Sequence, residues 1–180
     1  MRWPALALAL ALPAYALAQP AEPNLAEMLA ALKAAPNAEA ASRLEERIAA
    51  AWLQPATPAV RLLLENGTAA LHAHAPSEAD ADFGAATVLQ PDLAEAWSAR
   101  ALARFGMHDT AGAVEAAVRA VTLDPEHFTA FRTLSYAAEA QGNSKAALAA
   151  WQKALALDPQ MPGGTARLEM LRRTVQGQSI

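Results

Sequence analysis

The 180-residue chain contains no cysteine and has a formal net charge of −4. The lack of cysteine excludes disulfides, thiolate metal sites and cysteine nucleophiles. The acidic balance argues against nucleic-acid binding, which needs a basic surface to neutralise phosphates. Hydrophobic residues make up 54% of the sequence, and alanine is the commonest of them. Because alanine is the strongest helix former, this composition favours an all-α fold.

Residues 1–18 have the features of a secretory signal peptide. Arg2 provides a positive start, residues 5–12 are an unbroken Ala/Leu run, and small residues occupy positions 16 and 18. This pattern predicts cleavage before Gln19 and a periplasmic or secreted location. The alternative is an uncleaved membrane anchor, which Pro4 and Pro13 disfavour because a spanning helix needs about 20 apolar residues.

Residues 19–56 are predicted to form an N-terminal helical hairpin. Apolar residues recur at helical spacing in two segments, and Pro36 and Pro55 end them. The apolar positions are Leu25, Met28, Leu29 and Leu32 in the first segment and Leu44, Ile48 and Trp52 in the second. Since terminal units of a helical stack are often atypical, we expect this hairpin to cap the stack that follows.

A 34-residue period dominates the rest of the chain. Pro91, Pro125 and Pro159 are spaced 34 apart, and the windows before them align without gaps. Three columns hold small residues and a fourth is large and apolar: Gly67/Ala101/Ser135, Ala79/Ala113/Ala147, Ala86/Ala120/Ala154 and Leu63/Trp97/Phe131. Phe83 and Trp151 share a further column, in which Ala117 is the exception.

This period predicts three helical hairpins, each with a helix A and a helix B. The residue before a proline avoids the α region, so the proline column should end each helix B. Between A and B we expect Gly142 and His108 to take positive φ. The expected helix caps are Asp109 in the second repeat and either Asn143 or Ser144 in the third. Pro76 suits the first position of helix B in the first hairpin.

These columns and their period resemble the tetratricopeptide repeat (TPR) family, over an array at residues 57–160. The repeats are about 60–91, 94–125 and 128–159. The first is degenerate, because Asn66 replaces an apolar residue and the inter-helix glycine is missing. The resemblance implies a right-handed α-solenoid whose A helices line a concave groove.

Carried over by position, the resemblance implies that a protein partner binds in this groove. The residues expected to contact it are Arg61, His72, Glu95, Ser98, Leu102, Phe105, Arg132, Tyr136 and Glu139, beside Leu64, Thr68 and Thr129 on the same faces. Ordinary solvated surface is the alternative for each. The Lys and Asn pattern with which one TPR subclass binds peptide C-termini is not present.

Residues 161–180 are predicted to form a C-terminal capping helix, from about residue 165 to 175, and a tail. Leu168 and Leu171 lie on one side, and Arg167, Arg172 and Arg173 are expected in solvent. A polar outer face of this kind keeps the end of a stack soluble.

No pattern in the sequence indicates catalysis, a cofactor or a metal. His72 and His74 are two residues apart and so point to different sides of a helix. His108 and His127 are interpreted as solvated residues, and Glu78, Asp80 and Asp82 as a solvated helix start. Phosphate-binding loops and nucleophile motifs are absent. Trp97, Phe131 and Trp151 are interpreted as core residues.

The sequence therefore predicts a non-catalytic adaptor in the cell envelope. Its partner would be a protein or peptide of unknown identity, with no nucleic acid and no membrane span after signal cleavage. The alternative is a structural or self-associating component of an envelope assembly.

Overall fold

A computed structural model of the chain describes residues 24–177, which fold into nine α-helices and contain no strand. The helices are α1 (Leu25–Lys33), α2 (Ala38–Trp52), α3 (Pro58–His72), α4 (Pro76–Leu89), α5 (Ala94–Gly106), α6 (Thr110–Leu123), α7 (Phe128–Ala140), α8 (Ser144–Leu157) and α9 (Gly164–Gly177). The predicted all-α solenoid is confirmed. The predicted signal peptide, residues 1–18, lies outside the described residues.

The predicted turns between helices A and B are present. Gly142 has φ 76° and His108 has φ 62°. The side chains of Asp109 and Asn143 cap the helices that follow, accepting from Gly112 N and Ala146 N. In the first repeat, which has no glycine at this turn, His74 takes the left-handed conformation, with φ 57°.

The proline column ends helix B in every repeat. Helices α4, α6 and α8 each stop two residues before their proline. The residues directly before the prolines, Gln90, Asp124 and Asp158, have left the helical region, with φ of −141°, −133° and −132°. The steric restriction that proline imposes on its predecessor therefore sets the length of each repeat.

Small side chains let α3 to α8 stack closely. All six alanines of the two alanine columns are fully buried. In the first repeat, a Cβ added at Gly67 would lie 2.5 Å from Cε1 of Phe83. The second repeat has alanine at both corresponding positions, 101 and 117. The first hairpin thus matches a large side chain with an absent one, and the second matches two small ones.

The N-terminal hairpin, α1 and α2, does not cap the first repeat as expected. Helix α1 packs against α2 and α8. The apolar seam of the hairpin shares one core with the third repeat, consisting of Met28, Leu29, Leu32, Ala35, Ala41, Ile48, Trp52, Phe128 and Leu157. The expectation failed because a seam of leucines, Ile48 and Trp52 fits any apolar surface within reach, and the sequence did not show where that surface lies.

Polar contacts show the path of the N-terminal hairpin. Gln160 Nε2 donates to Ala35 O at 3.2 Å, at the third repeat, and Lys33 Nζ lies 2.6 Å from Glu126 Oε1, at the second. At the first repeat, Gln90 Nε2 donates to Pro55 O at 3.1 Å. The hairpin therefore runs along the edge formed by the loops after α4, α6 and α8, which we call the loop edge.

The last helix covers the other end of the stack, as predicted. Leu171 of α9 is fully buried against α8. The indole Nε1 of Trp151 donates to Gly164 O at 2.9 Å, at the start of α9. Trp151 is itself 2% exposed, which confirms its interpretation as a core residue.

Candidate functional site

Helices α3, α5 and α7 line one continuous groove. A concavity of about 390 Å³ lies mainly between α3 and α5, and a second of about 320 Å³ extends to α7. The two share Thr68, His72, Glu95 and Ala99. The groove defined by these two concavities is the surface on which the sequence placed partner contacts.

The first half of the groove has an apolar floor. Leu53, Leu64, Ala69 and Ala99 line it. Arg61 stands at its rim, where Nη2 donates to Leu53 O at 3.0 Å. This bond ties a predicted groove residue to the end of α2, so the N-terminal hairpin contributes to the wall.

The second half of the groove is more polar. Ser98, Leu102, Thr129, Arg132 and Thr133 line it, together with residues shared with the first half. Leu102 is 47% exposed, which is high for a leucine. An apolar floor followed by hydroxyls and a guanidinium suits a peptide that has both an apolar side chain and a polar or anionic group.

Glu95, a predicted groove residue, already has an intramolecular partner. Its Oε2 lies 3.0 Å from Nε2 of His127, and Nδ1 of that ring lies 3.0 Å from Thr129 Oγ1. Thr129 in turn lies 3.4 Å from Ser98 Oγ. The carboxylate accepts from Nε2–H, so this chain of contacts orients polar groups along the groove.

The interpretation of His127 as a solvated residue is wrong. The side chain is fully buried, and its ring stacks on Trp52 with centroids 3.9 Å apart and planes 7° apart. Its place before α7 gave no sign of this, because the covering group comes from α2, 75 residues earlier in the chain. His127 thus joins the N-terminal hairpin to the groove residue Glu95.

A pair of carboxyl groups lies where the hairpin meets the third repeat. Burial raises the pKa of Glu45 above its usual range, and the neighbouring Asp158 charge raises it further. Burial also raises the pKa of Asp158, against the lowering effects of the Gln160 backbone and Arg132. The positive charge of Arg132, a predicted groove residue, opposes these shifts by lowering the pKa of both carboxyls.

Phe105, Tyr136 and Glu139 lie outside these two concavities. The ring centroids of Phe105 and Tyr136 are 6.1 Å apart. Arg167 of α9 places its guanidinium carbon 4.0 Å from the Tyr136 centroid, and its Nη2 is 2.6 Å from Glu139 Oε2. The structure therefore gives these three predicted contacts an intramolecular role.

The expectation that Arg167 lies in solvent is also wrong, since its side chain is only 15% exposed. It covers Tyr136 and also lies over the Trp151 ring, at 4.8 Å. The periodicity of α9 placed Arg167 opposite its leucines and could not show that α7 presents an acid and an aromatic ring to it. Arg172 and Arg173 are exposed, as predicted.

Among residues 24–177, no group of three or more metal-ligating side chains is close enough to hold a metal ion. His72 lies in the groove and His74 in the turn after α3. Within the same residues, no helix combines the length and the apolar character that crossing a bilayer requires.

Comparisons with known proteins agree with this architecture, although no family model matches the chain. A TPR repeat-containing protein of Rhizobium etli is 24% identical over 154 residues, covering 86% of this chain and 76% of that protein. The Sgt2 TPR domain of Aspergillus fumigatus has a TM-score of 0.64 at 24% identity, covering 68% of this chain and 83% of that one.

A third similar structure is the first TPR domain of Spaghetti (RPAP3), which was solved bound to the HSP90 peptide SRMEEVD. Its TM-score is 0.63 at 20% identity, covering 66% of this chain and 94% of that domain. The protein is thus an α-solenoid of stacked helical hairpins. More particularly, its fold is that of TPR domains, and the resemblance predicted from the repeat columns is confirmed.

Proposed function

We propose that the protein is a non-catalytic adaptor that binds a segment of another protein in the groove of α3, α5 and α7. The observation that carries this proposal is the continuity of the groove, whose two concavities share four residues across α3 and α5. A TPR domain of the same fold, that of Spaghetti, binds a peptide, which supports the same use of the groove here.

The lining favours a partner segment with an apolar side chain and a nearby anionic or carbonyl group. The apolar part would enter the space beside Leu64 and Ala99. The polar part would reach Arg132, which lies in the second half of the groove. Burying one apolar side chain contributes roughly 1.5–3 kcal/mol, so a short segment of this kind would bind with modest affinity.

Blocking the groove tests the proposal. Thr68 is exposed, lines both concavities and donates its hydroxyl to Leu64 O at 2.7 Å. Thr122 on α6 is its matched control, because it is also exposed and makes the same 2.7 Å bond to Val118 O. Thr68→Arg fills the groove, whereas Thr122→Arg places the same side chain on a different helix.

The measurement is affinity capture from the source cell, with identification of the proteins retained. We expect a partner that wild type and Thr122→Arg retain and that Thr68→Arg loses. A partner retained equally by all three proteins would place the interface outside the groove. No saturable partner for any of them would contradict the adaptor function.

We also propose that the mature protein acts in the cell envelope, on the evidence of the signal-peptide pattern in residues 1–18. Cell fractionation with mass determination of the purified chain tests this. A chain beginning at Gln19 in the envelope fraction is expected. A chain retaining its leader in the cytoplasmic fraction would contradict the proposed location.

A further inference from the structure

One face of α3 is exposed to solvent in the described part of the chain. The repeat pattern shows which contacts the equivalent positions make in α5 and α7. The face consists of five exposed residues: Ala59, Leu62, Asn66, Ala69 and Ala73. In the second and third repeats, alanines equivalent to Leu62 and Ala69 pack on the preceding hairpin and are fully buried: Ala96, Ala103, Ala130 and Ala137. The positions of Leu62 and Ala69 on the open face of α3 therefore belong to the stacking surface of the array.

The N-terminal hairpin leaves this surface uncovered because it runs along the loop edge. Leu62 remains 58% exposed, although its column is fully buried in the other two repeats. Within residues 24–177, no helix lies on the open face of α3. Among the described residues, the stacking interface of the solenoid therefore ends at α3 without a partner.

We propose that the open face of α3 binds the same face of a second copy, with the two α3 helices antiparallel. Its residues follow one another at spacings of three, four, three and four, which is the spacing of a seam between two paired helices. A surface that pairs with itself must place its own residues in complementary positions about a two-fold axis.

The order of residues meets that condition when the axis passes beside Asn66. Leu62 of one copy then lies opposite Ala69 of the other, so that a large side chain meets a small one. Ala59 lies opposite Ala73. The two Asn66 amides meet at the axis, where each can donate to and accept from the other. A parallel pair would instead place Leu62 against Leu62 and leave gaps between the alanines.

The length of α3 sets the strength of this association. Its 15 residues extend about 22 Å. A contact between two such helices falls at the low end of specific interfaces, below about 1,200 Å² in total. We therefore expect a reversible dimer whose dissociation constant is micromolar or weaker.

Sedimentation of the purified full chain over a concentration series tests the dimer. Leu62→Lys should raise the dissociation constant about tenfold or more, because two lysines would each face the alanines of the other copy. Leu89→Lys is the matched control, since Leu89 is 61% exposed on α4. Both positions are open to solvent, so neither change should disturb folding, and unchanged melting temperatures will verify this.

We expect wild type and Leu89→Lys to dimerise equally and Leu62→Lys to lose the dimer. A wild type that stays monomeric up to about millimolar concentration would overturn the proposal. A dimer that Leu62→Lys leaves unchanged would also overturn it.

The absence of cysteine allows a second test, of the axis itself. A cysteine at a two-fold axis lies next to its own copy, within the short Cα separation that a disulfide requires. Mild oxidation should therefore link Asn66→Cys into a dimer much faster than Leu89→Cys, and Leu62→Lys should slow that linkage. Equal rates for the two single-cysteine proteins would exclude an axis at Asn66.

Discussion

Gly67 and Phe83 show how a single pair of residues sets the spacing of a helical hairpin. A Cβ at position 67 would lie 2.5 Å from the Phe83 ring, which is 1% exposed and therefore unable to move aside freely. The helix accepts the glycine, although glycine destabilises a helix interior by about 1 kcal/mol relative to alanine. Close packing of the ring compensates for that cost.

The first prediction is that the effect of Gly67→Ala on the free energy of unfolding changes sign when Phe83 is replaced by alanine. In the wild type it should lower the free energy of unfolding by about 1–3 kcal/mol, because the added methyl overpacks the Phe83 ring. In a Phe83→Ala background the same change should stabilise the protein, since only the gain in helix propensity remains. A double-mutant cycle of urea unfolding measures both effects. Equal effects in the two backgrounds would mean that the ring does not determine residue 67.

Single residues could be predicted where one local rule acts alone. Gly142, Asp109 and the proline column are such cases, because backbone sterics and capping depend on near neighbours. His127 and Arg167 were assigned wrongly because their partners, Trp52 and Glu139, lie on helices that pack against them only in the folded chain. Sequence periodicity gives the side of a helix on which a residue lies, but not the partner that meets it.

At the scale of an element, the contact between the N-terminal hairpin and the third repeat contains two groups that titrate. Glu45 and Asp158 both have a raised pKa in the folded protein, mainly because burial disfavours their charged forms. The folded chain therefore binds more protons than the unfolded chain at pH values between the ordinary and the raised pKa. Stability contributed by this pair is full below that interval and is lost as the pH rises through it.

The second prediction concerns Glu45→Gln. Removing this charge should raise the melting temperature at neutral pH and flatten its decline with increasing pH, because Asp158 and Arg132 can then pair without a second buried carboxylate. Melting curves between about pH 4 and pH 8 measure the effect. Glu39→Gln is the control, since Glu39 is exposed on the same helix and pairs with Arg43 at the surface. A steeper pH dependence in Glu45→Gln would contradict the assigned coupling.

The third prediction is that the hairpin separates from the repeats as one unit. Trp52 stacks on His127 and also contacts Phe128, with ring centroids 5.2 Å apart. Trp52→Ala removes both contacts and should cost about 3–5 kcal/mol of hairpin docking. Hydrogen exchange should then accelerate throughout α1 and α2 while α5 and α6 stay protected.

Arg43→Ala is the control for that measurement, because the Arg43 side chain is 67% exposed on the same helix. It should leave the exchange of α1 and α2 almost unchanged. Faster exchange spread evenly over all helices in Trp52→Ala would show instead that the hairpin and the repeats unfold together.

At the scale of the molecule, the hairpin changes the connectivity of the stack. In an ordinary solenoid each repeat contacts only its neighbours, so stability is a sum of local terms. Here Lys33 pairs with Glu126 and Ala35 accepts a hydrogen bond from Gln160, so the start of the described chain depends directly on the last repeat.

The fourth prediction follows from that dependence. Ala147→Leu should overpack the fully buried contact between α7 and α8 and lower stability by about 1–3 kcal/mol. Because α1 packs against α8, hydrogen exchange should accelerate in α1 as well, more than 100 residues away in the sequence. Ala149→Leu, at an exposed position of α8, should do neither. An unchanged melting temperature for Ala147→Leu would mean that the repeat alignment is wrong.

The groove and the hairpin differ in how far sequence could predict them. The groove follows from the repeat, because equivalent positions of α3, α5 and α7 must face the same side. Six of the residues expected to contact a partner lie in it: Arg61, His72, Glu95, Ser98, Leu102 and Arg132. Their contact with a partner stays a prediction. Leu53, which lines the groove, and Glu45, which lies near Arg132, both belong to a hairpin outside the repeat pattern. Its apolar seam was recognised, but an amphipathic seam does not specify which surface covers it.

The path of the N-terminal hairpin also bears on the order in which the chain can fold. The repeats form from contacts within about one period, whereas the bonds that hold the hairpin join residues 93 and 125 apart. Contacts of such sequence separation form slowly, because loop closure has to come first. During synthesis, the leucines of α1 cannot pack against Phe128 and Leu157 until the third repeat has been made. Among the described helices, α1 is therefore the first to be made and one of the last to be packed, and until then its apolar seam stays exposed and prone to aggregation.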